Sequence, residues 1–320
     1  MIYQSRYVRG IKVLPEQKHK KAFIFLDTDK HASPFDILLT LDLYPDSAIW
    51  KYENVTVEDA ERLIYDIIFP RGPKGIKHTK IFINGRDMEL TNKILRKIKK
   101  CMFPPFELSV IIDPRGAYTT ASALVAKTLE LSMNKELGDL ENKRVTVLAG
   151  TGPVGRTAAM LYASEKAKVT ITSRSLKRAE ALSEKINREL GEERVLAAEA
   201  DTPEKIGGAI KDAEIIASTG AAGVQLLPIS ILKEYGKKCK IVADVNAVPP
   251  PGIEGLKSSA DGDEVLPGIF GIGALAIGKL KNKTEAELIR RAAEEPKGIF
   301  DYKVAYQIAK EIIMEKSNKQ

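Results

Sequence analysis

Three glycines stand at the spacing GxGxxG in Gly150-Thr151-Gly152-Pro153-Val154-Gly155, directly after the apolar run 145–149. Val154, Ala158, Leu161 and Tyr162 then recur on one side, as a packed helix requires. A strand running through glycines into a helix points unpaired backbone N–H groups and the positive end of the helix dipole at one spot, which suits a pyrophosphate. In this reading Gly150 allows the tight turn, Gly152 the approach of the phosphates and Gly155 the packing of helix on strand. An acid at the end of the next strand would bind the ribose 2′-hydroxyl of NAD. This sequence instead has Thr172-Ser173-Arg174-Ser175, with Lys177 and Arg178 close behind. Hydroxyls and cations suit a 2′-phosphate, so NADP is the expected cofactor.

The first half of the chain places other polar groups where strands should end. Apolar run 22–26 leads into Asp27-Thr28-Asp29, run 79–83 into Asn84-Gly85, and run 108–112 into Asp113, with Gly116 and Thr119-Thr120 beyond. In parallel α/β sheets such ends face the ligand cleft. Asp36, Asp59 and Asp87 read instead as helix caps or turn residues. His19, His31 and His78 have no metal-ligand spacing, and the two cysteines, Cys101 and Cys239, form no CxxC pair, so no metal site is expected. The basic stretch 71–80 reads as a solvated charge run.

These groups need a scaffold, and the pattern of the chain supplies one. Apolar runs alternate with helical periodicities, the later runs falling at 145–149, 169–172, 195–198, 215–218 and 240–244. The expected fold is α/β with two domains. Residues 1–140 form an α/β substrate domain with the C-terminal helix, 292–320, packed back on it, and 141–291 form a Rossmann-type domain, doubly wound on a parallel sheet. A length of 320 residues suits two domains. Hydrophobic residues make up 44% and charged residues 29%, without an apolar run of membrane-spanning length, so no membrane association is expected. The balance of 50 Lys and Arg against 43 Asp and Glu gives +7, but both signs are interspersed, which gives no basis for a nucleic-acid partner. Residues 1–21 carry basic residues without a signal-peptide apolar core, and a reduced, cytoplasmic setting is expected.

Several separated motifs together resemble the NADP-dependent methylene-tetrahydromethanopterin and methylene-tetrahydrofolate dehydrogenases. They are Phe25-Leu-Asp27-Thr-Asp29, Ser33-Pro-Phe-Asp36, Asn54-Val-Thr56, Asp113-x-x-Gly116-x-x-Thr119-Thr120, Leu148-Ala-Gly-Thr-Gly-Pro-Val-Gly155, Ala243-Asp244-x-Asn246-Ala247-x-Pro-Pro250 and Gly273-Ala-Leu-Ala-Ile-Gly278-Lys-Leu-Lys281. The resemblance spans about residues 22–313, and residues 1–20 have no counterpart in it. It implies that the first domain binds a pterin and that substrate and NADP meet in the cleft between domains. It also implies a homo-oligomer, trimer or hexamer. Asp27, Asp113 and Lys281 are implied on the pterin side, with Lys279 competing for the lysine role. Ser173, Arg174, Arg178 and Asn246 join the glycine loop on the cofactor side.

The implied reaction moves a hydride reversibly between a methylene carbon held by two nitrogens and NADP. The methenyl cation is shared by those nitrogens, so orientation and electrostatic support are the main demands on the protein, and no metal is required. An NADPH-dependent Rossmann reductase of another small substrate is the competing enzyme reading, although Cys101, on a helix before Pro104-Pro105, is poorly placed as its nucleophile. A non-enzymatic NADPH-binding redox sensor would leave the strand-end acids of the first half without a purpose.

Overall fold

A computed structural model of the chain describes residues 19–317 together with the backbone at 7–8 and 11–12. The latter form a small antiparallel hairpin, β1 (Tyr7–Val8) with β2 (Ile11–Lys12).

The first sheet is built from β3 (Ala22–Asp27), β4 (Ala48–Tyr52), β5 (Thr79–Asn84), β6 (Ser109–Ile112) and a returning β14 (Gly298–Phe300), in the order β14-β6-β5-β3-β4. All its pairings are parallel. The connections include α1 (Pro34–Leu43), α2 (Val57–Ile68), the single turn α3 (Gly72–Gly75) and α4 (Met88–Cys101). Every residue of β5 is buried, as a strand covered on both faces by helices must be. Lys80 is therefore desolvated. Its ammonium donates to the Glu295 carbonyl at 2.5 Å, and burial lowers its pKa to about 8.

Local signals set several helix starts. Thr56 and Asp59 form a reciprocal capping box on α2, and Asp87 accepts from the amides of Glu89 and Leu90 at the head of α4.

Helix α5 (Ala117–Asn134) leaves the first sheet and runs into the second unit. There β7 (Arg144–Leu148), α6 (Pro153–Ser164), β8 (Lys168–Ser173), α7 (Leu176–Leu190), β9 (Val195–Glu199), α8 (Pro203–Ile210), β10 (Ile215–Ser218), α9 (Ile229–Tyr235) and β11 (Ile241–Asp244) follow. A hairpin, β12 (Asp261–Leu266) with β13 (Ile269–Ile272), completes a seven-stranded sheet of order β12-β13-β11-β10-β7-β8-β9. It is parallel except for β12, which is antiparallel to β13 at the edge.

The two units share their helical core. Ala121, Ala123 and Ala126 of α5 are fully buried, and such small side chains let neighbouring helices approach closely. Helix α10 (Ala274–Glu294) packs Ile277 and Leu280 into the core of the second unit, and Leu288, Ile289 and Ala292 against the first sheet. It is thus continuous across residue 291, where the sequence pattern suggests a division. Helix α11 (Tyr302–Ser317) does likewise, with Ala305 and Ile308 on the first unit and Tyr306 and Ala309 on the second.

Candidate active site

The strand ends of both sheets meet across a cleft of about 900 Å³. One wall carries Arg86, Pro114, Arg115 and Ala117, and the other the loops after β7, β8 and β10.

On the second wall, Thr151, Gly152, Pro153 and Val154 line the cleft, whereas Gly150 and Gly155 work beneath it. A side chain at Gly150 would lie 2.9 Å from Ile171, and one at Gly155 would lie 2.6 Å from Thr219 Oγ1 and 2.7 Å from the Gly150 backbone. At Gly152 only the Ala149 carbonyl comes within 4 Å, at 3.6 Å, so the backbone there is open to a close ligand. Pro153 occupies the first turn of α6, where its missing N–H costs nothing and its neighbours' amides have no intrahelical partner. This arrangement fits a dinucleotide pyrophosphate.

Ser173, Arg174, Ser175 and Arg178 also line the cleft, beside Thr172. Ser173 is buried and its hydroxyl accepts from the Ser175 amide at 3.2 Å, shaping the turn, while Arg174 and Arg178 are exposed cations above it. The end of β8 thus offers positive charge and hydroxyls, the chemistry of a 2′-phosphate site. Asn246 is placed differently. Its carbonyl oxygen accepts from the Gly223 and Val248 amides and its Nδ2 donates to the Pro250 carbonyl at 2.9 Å. Its side chain fixes the loop behind Val224, which lines the cleft, instead of lining the cleft itself.

The first wall is organised by buried carboxylates. Asp27 is 1% exposed and accepts from the amides of Asp29 at 2.8 Å and Ser33 at 3.1 Å. Burial raises its pKa, against these amides and the nearby Arg115 guanidinium. Asp113 is fully buried and accepts from the Tyr118 amide at 2.8 Å and the Thr119 hydroxyl at 2.5 Å, closing the start of α5. Burial pushes its pKa up to about 6, with Lys281 pulling the other way.

Arg115, without a role in the sequence reading, and Asn84, one of its strand-end groups, hold this wall together. Arg115, at φ 49°, sends its guanidinium to Asp29 at 2.5 and 2.8 Å and to the His31 carbonyl at 2.7 Å. Burial would raise the Asp29 pKa, but the Arg86 amide and Arg115 outweigh it and hold it low. Asn84, opposite Asp27 in the sheet register, accepts from the Arg115 amide at 2.8 Å and donates to Asp36 at 2.5 Å. The sequence signal for Arg115 was its place between Pro114 and Gly116 after a strand-ending acid.

Asp36 corrects its expected role as a cap. It lies within the first turn of α1, and its carboxylate is buried against Asn84 and Glu285. Lys281 pairs with Glu285 one turn along α10 and lies 4.0 Å from the Phe35 ring centre, close to Gly116. Lys279 is exposed on another side of the helix. Of the two lysines, Lys281 joins the carboxylates.

Among the described residues no group of His, Cys, Asp and Glu is arranged to hold a metal, and no helix is long and apolar enough to cross a membrane. Cys101 and Cys239 are buried and unpaired with one another.

Two α/β units, a glycine loop on one and buried acids on the other, define a Rossmann-type dehydrogenase architecture. A family profile described as "Methylene-tetrahydromethanopterin dehydrogenase, N-terminal" matches residues 34–115. An "NAD(P)-dependent methylenetetrahydromethanopterin dehydrogenase" of Methylorubrum extorquens is 35% identical over 88% of this chain and 95% of that protein. A "Bifunctional protein MdtA" of the same organism is 36% identical over 92% and 99% respectively. The chain belongs to the methylenetetrahydromethanopterin dehydrogenase family. At the level of fold alone it is also similar to ornithine carbamoyltransferase from Pyrococcus furiosus, with a TM-score of 0.51 and 11% identity over 84% of each chain.

Proposed function

We propose that this chain is an oxidoreductase that transfers a hydride reversibly between the methylene carbon of a methylene-tetrahydropterin, tetrahydromethanopterin or tetrahydrofolate, and NADP. The observation that carries the reading is the opposition, across one cleft, of a dinucleotide loop and a wall at Arg86 and 114–117 that is backed by buried carboxylates, in a chain of this family.

NADP, when bound, supplies the hydride acceptor. Thr151, Gly152 and Val154 offer backbone to the pyrophosphate, and Arg174 and Arg178 meet the 2′-phosphate. Across the cleft, Arg115 and Asn84 fix the loops that shape the pterin subsite, and Lys281 positions the pterin there. The C–H bond of the methylene carbon breaks with both electrons leaving as hydride, and the positive charge that remains is shared by the two ring nitrogens. Asp27, Asp113 and Asp36 provide negative potential for that cation, preorganised because each is already held by hydrogen bonds. No proton has to be moved and no metal is needed.

In this reading residues 1–140, with 292–320 and the Lys281 and Glu285 positions of α10, supply the pterin side and the rest of 141–291 the NADP side, the enzyme works as a homo-oligomer, and it acts in the cytoplasm. The experiment is turnover followed by absorbance with each methylene-pterin and each nicotinamide cofactor. Activity should survive exhaustive chelation, and deuterium on the methylene carbon should arrive on the nicotinamide ring. Washout of deuterium into water would exclude direct transfer.

A further inference from the structure

Four ionisable side chains converge behind the first wall: Asp36 from α1, Asp113 from the end of β6, and Lys281 and Glu285 from α10. Glu285 is fully buried, and Lys281 Nζ contacts its Oε2. No donor reaches Glu285 Oε1. The Asp36 carboxyl, 2% exposed, nevertheless stands within hydrogen-bond reach of Glu285.

Two carboxyls buried face to face cannot both ionise cheaply, and one proton between them turns repulsion into a hydrogen bond. Asp36 Oδ2 is already an acceptor for Asn84 Nδ2 at 2.5 Å, and Glu285 Oε2 is an acceptor for Lys281. Glu285 Oε1 is buried without a donor of its own.

We propose that Asp36 and Glu285 act as one positioning unit that holds a single proton between Glu285 Oε1 and the Asp36 carboxyl, so that the pair carries one negative charge beside Lys281. The donor sequence runs from the Lys281 ammonium to Glu285 Oε2, and the shared proton joins Glu285 Oε1 to the Asp36 carboxyl, so that the buried Oε1 is matched. The groups facing Glu285 are Asp36, Asp113 and its own helix neighbour Lys281. Burial pushes the Glu285 pKa up to about 9, Lys281 acting in the opposite direction. With one proton in the pair, Lys281 offsets one of the two remaining negative charges, which leaves a single net negative charge near the proposed pterin subsite. Loss of that proton would add a second and draw the ammonium inward.

The role of Lys281 rests on the proposed function, whereas the shared proton does not, so the experiment has two arms. Infrared spectra of the full chain without substrate should show a buried protonated carboxyl at neutral pH. The band should vanish in Glu285→Gln and in Asp36→Asn, each of which leaves a single carboxyl, and persist in Asp113→Asn. Absence of the band from the unaltered protein, or its persistence in Glu285→Gln, would overturn the proposal. Asp36→Asn gives the same readout should the glutamine variant fail to fold. In the kinetic arm, glutamine reproduces both the donor and the acceptor. Glu285→Gln should therefore keep kcat/KM within about threefold at neutral pH and lose the alkaline limb of its pH profile, while Glu285→Ala loses roughly tenfold. An alkaline limb unchanged in Glu285→Gln would overturn the positioning role. Failure of the unaltered protein to turn over any methylene-pterin would instead count against the proposed function and leave the infrared result standing.

Discussion

The two walls of the cleft are made in opposite ways. The wall proposed to hold the nucleotide is made of local loops: residues 149–154 and 172–178 supply much of it, with the loop after β10 beside them and exposed arginines above. The opposite wall takes Asp27, Asp36, Asn84, Asp113, Lys281 and Glu285 from segments more than 250 positions apart, and all but Lys281 are almost completely buried. The difference fits the part each wall takes in the proposed function. Backbone amides at a helix start bind phosphate with little help from the rest of the protein. Supporting a charge on a substrate carbon requires desolvated groups, and only a shared core can desolvate them.

This contrast is open to direct test, and the largest effect should come from the local wall. In Gly155→Val the new Cβ would overlap Thr219 and the Gly150 backbone. NADP affinity should fall roughly 100-fold, near the ~3 kcal/mol upper range for overpacking, when measured by calorimetry. Unchanged affinity would mean that the loop does not hold the pyrophosphate.

Asp113→Asn probes the other wall. The Asp113 carboxylate receives the Tyr118 and Thr119 groups, and an amide offers one acceptor oxygen in place of two. Turnover should drop roughly 30-fold with the NADP dissociation constant unchanged, and the melting temperature should fall in keeping with ~1–3 kcal/mol for a buried group left unmatched. Lost NADP affinity with normal pterin kinetics would reverse the assignment of the two walls.

A smaller effect should separate the cofactors. Arg174→Ala should raise KM for NADP about tenfold, or ~1.4 kcal/mol, and leave NAD within about twofold. Equal losses would remove the 2′-phosphate from the argument.

The smallest effect belongs to the seam between the units. Glu89 of α4 accepts from Lys185 of α7 and Arg156 of α6, each at 2.9 Å. These cations, Lys185 first, hold the Glu89 pKa down at about 2. Because the folded pKa is depressed, the stabilisation is present above the ordinary value of 4.5 and is lost as pH falls through about 2. The side chain is 49% exposed, so solvent screening keeps the contribution below about 1 kcal/mol. Melting curves of Glu89→Gln and the unaltered protein should differ slightly at neutral pH and converge in acid. A difference that grew on acidification would break the ion-pair account.

Much of the fold was legible in short windows of sequence. The capping box of Thr56 and Asp59, the Asp87 cap and the strand–glycine–helix passage at 145–155 each depend on residues within a turn or two of one another. Strand β4 was not legible, because an edge strand with one exposed Lys and half-exposed aromatics shows no clean alternation. The acid-rich β12 and the three-residue β14 escaped for a related reason. Their strand character comes from pairing with β13 and β6, partners supplied by the rest of the sheet.

The candidate site divides along the same line. Sequence alone placed the glycine loop, the absence of an acid after β8 and the strand-ending Asp27, Asn84 and Asp113, because hydrophobic period and turn chemistry fix where a parallel strand stops and its polar end begins. It read Asp36 as a helix-start residue, left Lys279 and Lys281 unresolved, and gave Arg115 and Glu285 no role. Tertiary structure decided these: the phase of α10 against the first sheet turns Lys281 and Glu285 inward and leaves Lys279 in solvent. Burial then makes Asp36, Asp113 and Glu285 interact strongly, since charges perturb one another appreciably only where water is excluded between them, and that exclusion is a property of the assembled core.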